Sequence, residues 1–226
     1  MKNKIIVLVM ALVIVGLTAG SAAASDWEAV GGVAITNVTL DKWNSTIDDL
    51  NTNFFNESNP GTTNVEEMDN IDRVPMIYLG TKKEFKQNWV GSLRYEYIFG
   101  GVEGSANIGG DDHTAETDVK LHGLALLADY NLNNRWNIGG GVGFYKGTKN
   151  KDIQGPVFTG YGLAEDTDYD LDAVNYRLGV GYERSFAANW DFNAGLDYLY
   201  MEIDDEEEGN VYSKGFSYNL GLTYHF

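Results

Sequence analysis

The last eleven residues carry the pattern that restricts the fold most. Phe216, Tyr218, Leu220, Leu222, Tyr224 and Phe226 alternate with Ser217, Asn219, Gly221, Thr223 and His225. A period of two puts the first set on one face of a strand and the second on the other. One face is apolar and aromatic; its opposite is small and polar. The alternation recurs upstream in Trp190 to Tyr200, Val174 to Tyr182, Trp136 to Phe144 and Trp89 to Phe99, and more weakly in 118–132 and 26–38. Segment 73–85 reads as a strand of ambiguous phase, with Pro75 near its start because proline cannot donate to a ladder. Connections at 86–88, 131–135 and 186–189 are tight; those at 39–72, 104–117, 146–168 and 203–211 are long and polar. Eight strands so joined form one meander.

The faces are inverted relative to a soluble barrel. Arg94, Glu96, Arg177, Glu183 and Asp197 lie on the polar face, while the other face is continuously apolar with Trp or Phe at strand ends. Such a sheet suits lipid outside and a polar lumen inside. It must then close, because an open edge in hydrocarbon leaves backbone groups unpaired at several kcal/mol each. Residues 1–24 read as a signal peptide: Lys2 and Lys4, an apolar run from Ile5 to Leu17, then Ala22-Ala23-Ala24 as an A-x-A site. The barrel domain is 25–226. With 16 Lys plus Arg against 33 Asp plus Glu and a net charge of −17, no nucleic-acid partner is expected. The absence of cysteine removes disulfides, thiolate metal sites and a Cys nucleophile.

Asn219-Leu220-Gly221-Leu222-Thr223-Tyr224-His225-Phe226 resembles the C-terminal signal of bacterial outer-membrane β-barrels, with Asn219, Gly221, Tyr224 and Phe226 in its characteristic places. The size is similar to that of the OmpA transmembrane domain, OmpX and OmpW group. The resemblance implies an all-β fold: an eight-stranded antiparallel transmembrane up-and-down barrel. It also implies an outer-membrane location, insertion by the outer-membrane insertion machinery, and contact with the lipid bilayer and lipopolysaccharide. Short turns and termini would be periplasmic and the long loops extracellular.

Eight strands leave an interior just wide enough for side chains to fill. Buried charges there must pair, so Arg94, Glu96, Arg177 and Asp197, with Glu183, are expected to form one ion network at mid-barrel. The inward positions Ile98, Leu127, Leu199, Met201 and Ile203 are expected to make the outer end of the lumen apolar. In the first long loop, Trp43, Ile47, Leu50 and Phe54 fall on one stripe of a short helix of about 12–14 residues that Asp41 could cap. That helix could dock in the mouth, cover a pocket for a small hydrophobic ligand, or lie on the membrane surface. The acidic runs at 166–172 and 204–208 read as solvated surface; Leu171 occupies the place where a calcium loop needs glycine. His113, His122 and His225 make no nucleophile–base pair and no zinc set. The expectation is a structural or surface-interaction barrel, not an enzyme, with no catalytic residue, cofactor or metal. A porin-like channel for small solutes is the alternative, and a lipid-modifying barrel a more remote one.

Overall fold

A computed structural model describes residues 27–226; the expected signal peptide at 1–24 lies outside the described residues. The elements are β1 (Glu28–Asn37), α1 (Asp41–Asn53), β2 (Thr62–Glu66), β3 (Arg73–Lys86), β4 (Trp89–Ile108), β5 (Asp111–Asn131), β6 (Trp136–Gln154), α2 (Pro156–Tyr161), β7 (Glu165–Ala187), β8 (Trp190–Asp205) and β9 (Gly209–His225). β1 pairs with both β3 and β9, the chain continues strand by strand, and β4 pairs with β5. Eight antiparallel strands thus close a ring without an edge. The short β2 adds only to the far end of β4.

The outward face is as greasy as the alternation predicts. Leu178 is 71% exposed and Tyr218 55%, values that suit acyl chains and no aqueous surface of this extent. Three tryptophans open β4, β6 and β8, each just after a tight turn. Each packs on its ladder partner: Trp89 on Tyr130 at 5.3 Å, Trp136 on Tyr182 at 5.0 Å, Trp190 on Tyr224 at 4.9 Å. These pairs form an aromatic girdle at the short-turn end. Tyr198 against Phe216 and Tyr200 near Tyr212 mark a second band. Ten residues separate Trp190 from Tyr200. At ~3.3 Å per residue and a tilt of about 40°, that is roughly 25 Å of membrane height.

Two expectations need correction. The stretches 104–117 and 203–211 are not loops, and 146–168 is one only in part: β4 runs to Ile108 and β5 starts at Asp111, β6 runs to Gln154 and β7 starts at Glu165, β8 ends at Asp205 and β9 begins at Gly209. Strands of 20, 21 and 23 residues in β4, β5 and β7 overshoot the ~10 that span a bilayer, so the hairpins project beyond the membrane. Outside the bilayer the outer face meets water, so the apolar half of the alternation disappears while the ladder continues. Second, Asp41 does not cap α1: Leu40 holds that position with no side-chain cap, and Asp41 is the first helical residue.

The apolar core lies in the lumen at this projecting end. Trp43 and Ile47 of α1 are each 3% exposed and Phe55 is wholly buried. They pack with Met76, Ile98, Leu121, Leu171, Ile203 and Val211 from the barrel wall, while Leu50 and Phe54 flank them half-buried. No helix among the described residues is long and apolar enough to cross a membrane.

Candidate functional site

The lumen has three levels. At mid-barrel, Arg177 grips Glu96 through both terminal nitrogens, at 2.9 Å to Oε1 and 2.5 Å to Oε2. The Tyr145 hydroxyl donates to Glu96 at 2.6 Å and accepts from Arg177 at 2.9 Å; Asn175 Nδ2 donates to it at 2.9 Å. Such fork-to-fork pairing fixes orientation as well as charge. The five expected network residues do not stand together. Arg94 rests on the Tyr78 ring at 4.7 Å. Asp197 accepts from Asn219 at 3.0 Å. Glu183 is bound by Lys82, which also reaches Glu28 at 3.3 Å. The reason is depth: Arg94 lies two residues nearer the short turn than Glu96 on β4, Glu183 lies six residues beyond Arg177 on β7, and Asp197 pairs with Gly179 on the short-turn side of Arg177. Leu127 is also corrected. It lines a cavity with Arg94 at the short-turn side, opposite Ser92; Ile98, Met201 and Ile203 do sit toward the projecting end, and Leu199 lies opposite Arg177 at the level of the lock.

Above this level, α1 occupies the mouth, and its buried stripe packs against the wall residues named above. A cluster that the sequence reading missed fastens it. Lys149, 1% exposed, is bonded to Asp205, at 2.8 Å to Glu207 and at 3.4 Å to Glu208. Trp43 Nε1 donates to Asp205 at 2.8 Å, and the backbone N–H of Glu207 donates to it at 2.9 Å. Lys151 holds Glu207 at 2.5 Å, and Lys42 of α1 donates to the carbonyls of Glu208 and Asn210. Burial pushes Asp205 and Glu207 up, but the bonds from Lys149 outweigh it and hold both below the usual carboxylate range. Desolvation lowers Lys149, yet its carboxylate partners leave it raised.

His113 is a second fastening. Its Nδ1 bonds to the Asp111 carbonyl at 2.9 Å, Nε2 accepts from the Val157 N–H at 3.1 Å, and its ring meets Phe158 at 5.4 Å. Phe158 in turn packs on Phe54 at 4.8 Å, so α2 is tied to the loop-one plug. Gly155 has φ of +135°, and a Cβ there would lie 2.3 Å from the His113 ring. Gly155→Ala is therefore expected to cost about 2–3 kcal/mol locally and to expose the chain near Tyr161 to protease nicking while the barrel stays folded.

On the outer surface above the lipid belt, Glu103, Glu116, Asp152 and Asp166 stand in one row across β4 to β7. Like charges directly opposite destabilise a ladder; desolvation and the neighbours Asp118, Glu103 and Asp152 raise Glu116. No three metal-ligating side chains among the described residues come together in a way that would hold an ion. His225 lies between Glu28 at 3.0 Å and Asp191 at 2.8 Å. Both ring nitrogens thus meet carboxylates, where a nucleophile–base pair would need a hydroxyl at one of them. His122 faces outward beside Tyr95. Of the C-terminal signal, Asn219 points inward to Asp197, Gly221 closes on Gly31 and Tyr78, and Tyr224 meets Phe226 edge to face at 5.2 Å.

The family model described as outer membrane protein beta-barrel domain matches residues 9–226. No curated protein matches the chain. Among solved structures, Neisserial surface protein A is similar with a TM-score of 0.47 at 10% identity, covering 88% of this chain and 97% of that one. OprG of Pseudomonas aeruginosa gives 0.46 at 16%, covering 90% and 96%. Ail, the attachment invasion locus protein of Yersinia pestis, gives 0.46 at 15%, covering 89% and 99%.

Proposed function

The chain belongs to the outer membrane protein β-barrel domain family, and from that premise we propose that it is a closed, non-conducting barrel serving a structural or surface-interaction role. Its short turns face the periplasm, and the projecting hairpins with their acidic rows face outward to lipopolysaccharide and the medium. The observation that carries this reading is a lumen sealed twice: by the Arg177–Glu96–Tyr145 lock and by the apolar plug around Trp43, Ile47 and Phe55. The packing of the α1 stripe against the barrel wall argues against a pocket for a hydrophobic ligand beneath it. The side chains around His225 argue against catalysis. Residues 1–24 would serve as the export signal, and the Asn219-to-Phe226 strand as the segment read by the insertion machinery.

The purified chain reconstituted in a planar bilayer is expected to give no conductance steps above the lipid baseline across the usual voltages. Stable open events would overturn the sealed reading and restore the channel for small solutes. Lipid A recovered from cells producing the chain is expected to be unmodified; a change in its acyl chains would establish the lipid-modifying alternative.

A further inference from the structure

The projecting strands β4 to β7 form a sheet of their own above the lipid belt, and its two sides end differently. On one side the far end of β4 is covered by β2. That cover is a poor template for a further strand. It has five residues, its register shifts between Thr63 and Glu66, and Asn64 has φ of +51°. Short, bulged strands are how native sheets blunt an edge. On the other side stands β7. β6 pairs with it from Glu165 onward, but β8 joins it only at Leu171. Residues 165–170 are therefore laddered on one side and open on the other. The segment contains no proline, and its register against β6 runs without a shift.

The open side presents backbone groups in a fixed phase. Asp170 turns both of its own that way: its carbonyl accepts from the Glu206 N–H at 3.2 Å, and its N–H donates to the Glu206 carboxylate at 3.3 Å. In an antiparallel ladder every second residue directs its backbone to the same side. The N–H and C=O of Asp168 and Asp166 therefore face outward from the sheet edge, and Asp166, Thr167 and Asp168 are exposed. Their side chains stand on the outer face, where the acidic row from Glu103 through Asp152 ends at Asp166. The lysines on the outer face of β5 and β6 are already committed, Lys120 to Asp118 at 3.3 Å and Lys146 to Asp172 at 3.0 Å. Asp168 receives a neutral donor, the Asn150 amide, at 3.1 Å. A strand laid along this edge would set its side chains directly opposite Asp166 and Asp168. Like charges so placed destabilise a ladder, and opposite charges stabilise it. The edge thus repels a second copy of itself and the phosphates of lipopolysaccharide, and attracts a basic strand.

We propose that the open edge of β7 over 165–170 is a docking site for an extended cationic peptide segment, which adds a strand to the sheet with Lys or Arg at alternate positions. Main-chain bonds to Asp166 and Asp168 supply affinity, and the facing carboxylates select the sequence. Single-sign charge also rejects wrong partners. The site ends where Glu206 occupies the backbone of Asp170, so the partner strand is short. This assignment gives the surface-interaction role a partner and rests on that reading.

Backbone amide exchange of the full chain in lipid nanodiscs reads the edge directly. Three probes are compared at low salt: the capped peptide Lys-Thr-Lys-Val-Lys-Thr, its copy with glutamate for every lysine, and a copy N-methylated at each lysine. The last keeps the charge but loses the donors that would face β7. The basic peptide is expected to slow exchange of the Asp166 and Asp168 amides about tenfold or more, with half-saturation on the order of 10–100 μM. The other two should leave both amides unprotected. In an Asp166→Asn, Asp168→Asn variant with native exchange in the membrane strands, binding of the basic peptide should weaken about tenfold. Equal protection by the methylated copy would overturn strand addition in favour of simple charge attraction. Equal protection by the acidic copy would overturn charge selection. No protection by any probe would show a guarded edge that takes no partner, and protection that grows with protein concentration alone would make a second copy the occupant. Conductance in the planar bilayer would overturn the sealed barrel without touching these results, and failed peptide binding would leave the sealed barrel standing.

Discussion

Glu96→Gln should lower the stability of the barrel by about 3–5 kcal/mol, read as a fall in the urea midpoint of chain refolded in lipid. The expectation follows from the asymmetry of the pair. Arg177 cannot shed its charge at any accessible pH, and it is 7% exposed. With glutamine opposite, one of its two charge-assisted bonds becomes neutral and the other meets an N–H₂ donor. Tyr145 loses its carboxylate acceptor at the same time. A Glu96→Leu, Arg177→Met double variant removes both charges, and such replacements are often neutral or stabilising. It should therefore recover most of the loss and may be compared in a double-mutant cycle. A single-variant loss below about 1 kcal/mol would mean that water solvates the pair and that the lock is not dry. Bilayer conductance should stay at baseline in both variants, because the Trp43 plug remains in place above them.

The membrane-spanning part of this fold was legible because lipid enforces the period of two. Every second residue from Trp190 to Tyr200 had to be apolar, so strand phase and the outward set could be read directly. Beyond the bilayer that pressure ends. Asp166, Asp168, Asp170 and Asp172 still alternate on the outer face of β7, but their polarity resembles that of a loop. The same loss of signal hid Lys149, which faces inward from the projecting part of β6, and Asp205, one acid in a run of five. Tyr145 was within reach: it follows outward Phe144 and so had to face the lumen. Depth in the lumen was harder. Counting from the turns placed Arg94 and Asp197 with Glu96, yet inward positions two residues apart on one strand stand at different levels, and Asp197 pairs with Gly179 rather than with Arg177. The helix stripe of Trp43, Ile47, Leu50 and Phe54 could be read because it is local; its fastening to Asp205 could not, because that contact spans 162 positions.

That fastening carries the second large effect. Asp205→Ala is expected to free α1 from the mouth at a cost of about 3–5 kcal/mol. The carboxylate meets the Lys149 ammonium, the Trp43 indole N–H and the backbone N–H groups of Glu207 and Glu208. Removing it strands several buried donors at once, one of them charged. At 1.4 kcal/mol per decade, protease cleavage within 39–72 should accelerate on the order of a hundredfold or more, with the membrane-embedded strands still protected. Lys149→Met should cost less, because Asp205 keeps its three neutral donors. The pH dependence follows from the same bonds. Asp205 and Glu207 titrate below their ordinary values, so their contribution is complete above pH of about 4.3 and lost as acid passes through the lower folded values. Lys149 is raised, so its contribution is complete below about pH 10.4 and lost only above that. Protection of α1 should therefore be flat from about pH 5 to pH 10 and collapse below about pH 4. Unchanged protection in Asp205→Ala would show instead that the apolar stripe holds the plug unaided, and the acid collapse should then vanish as well.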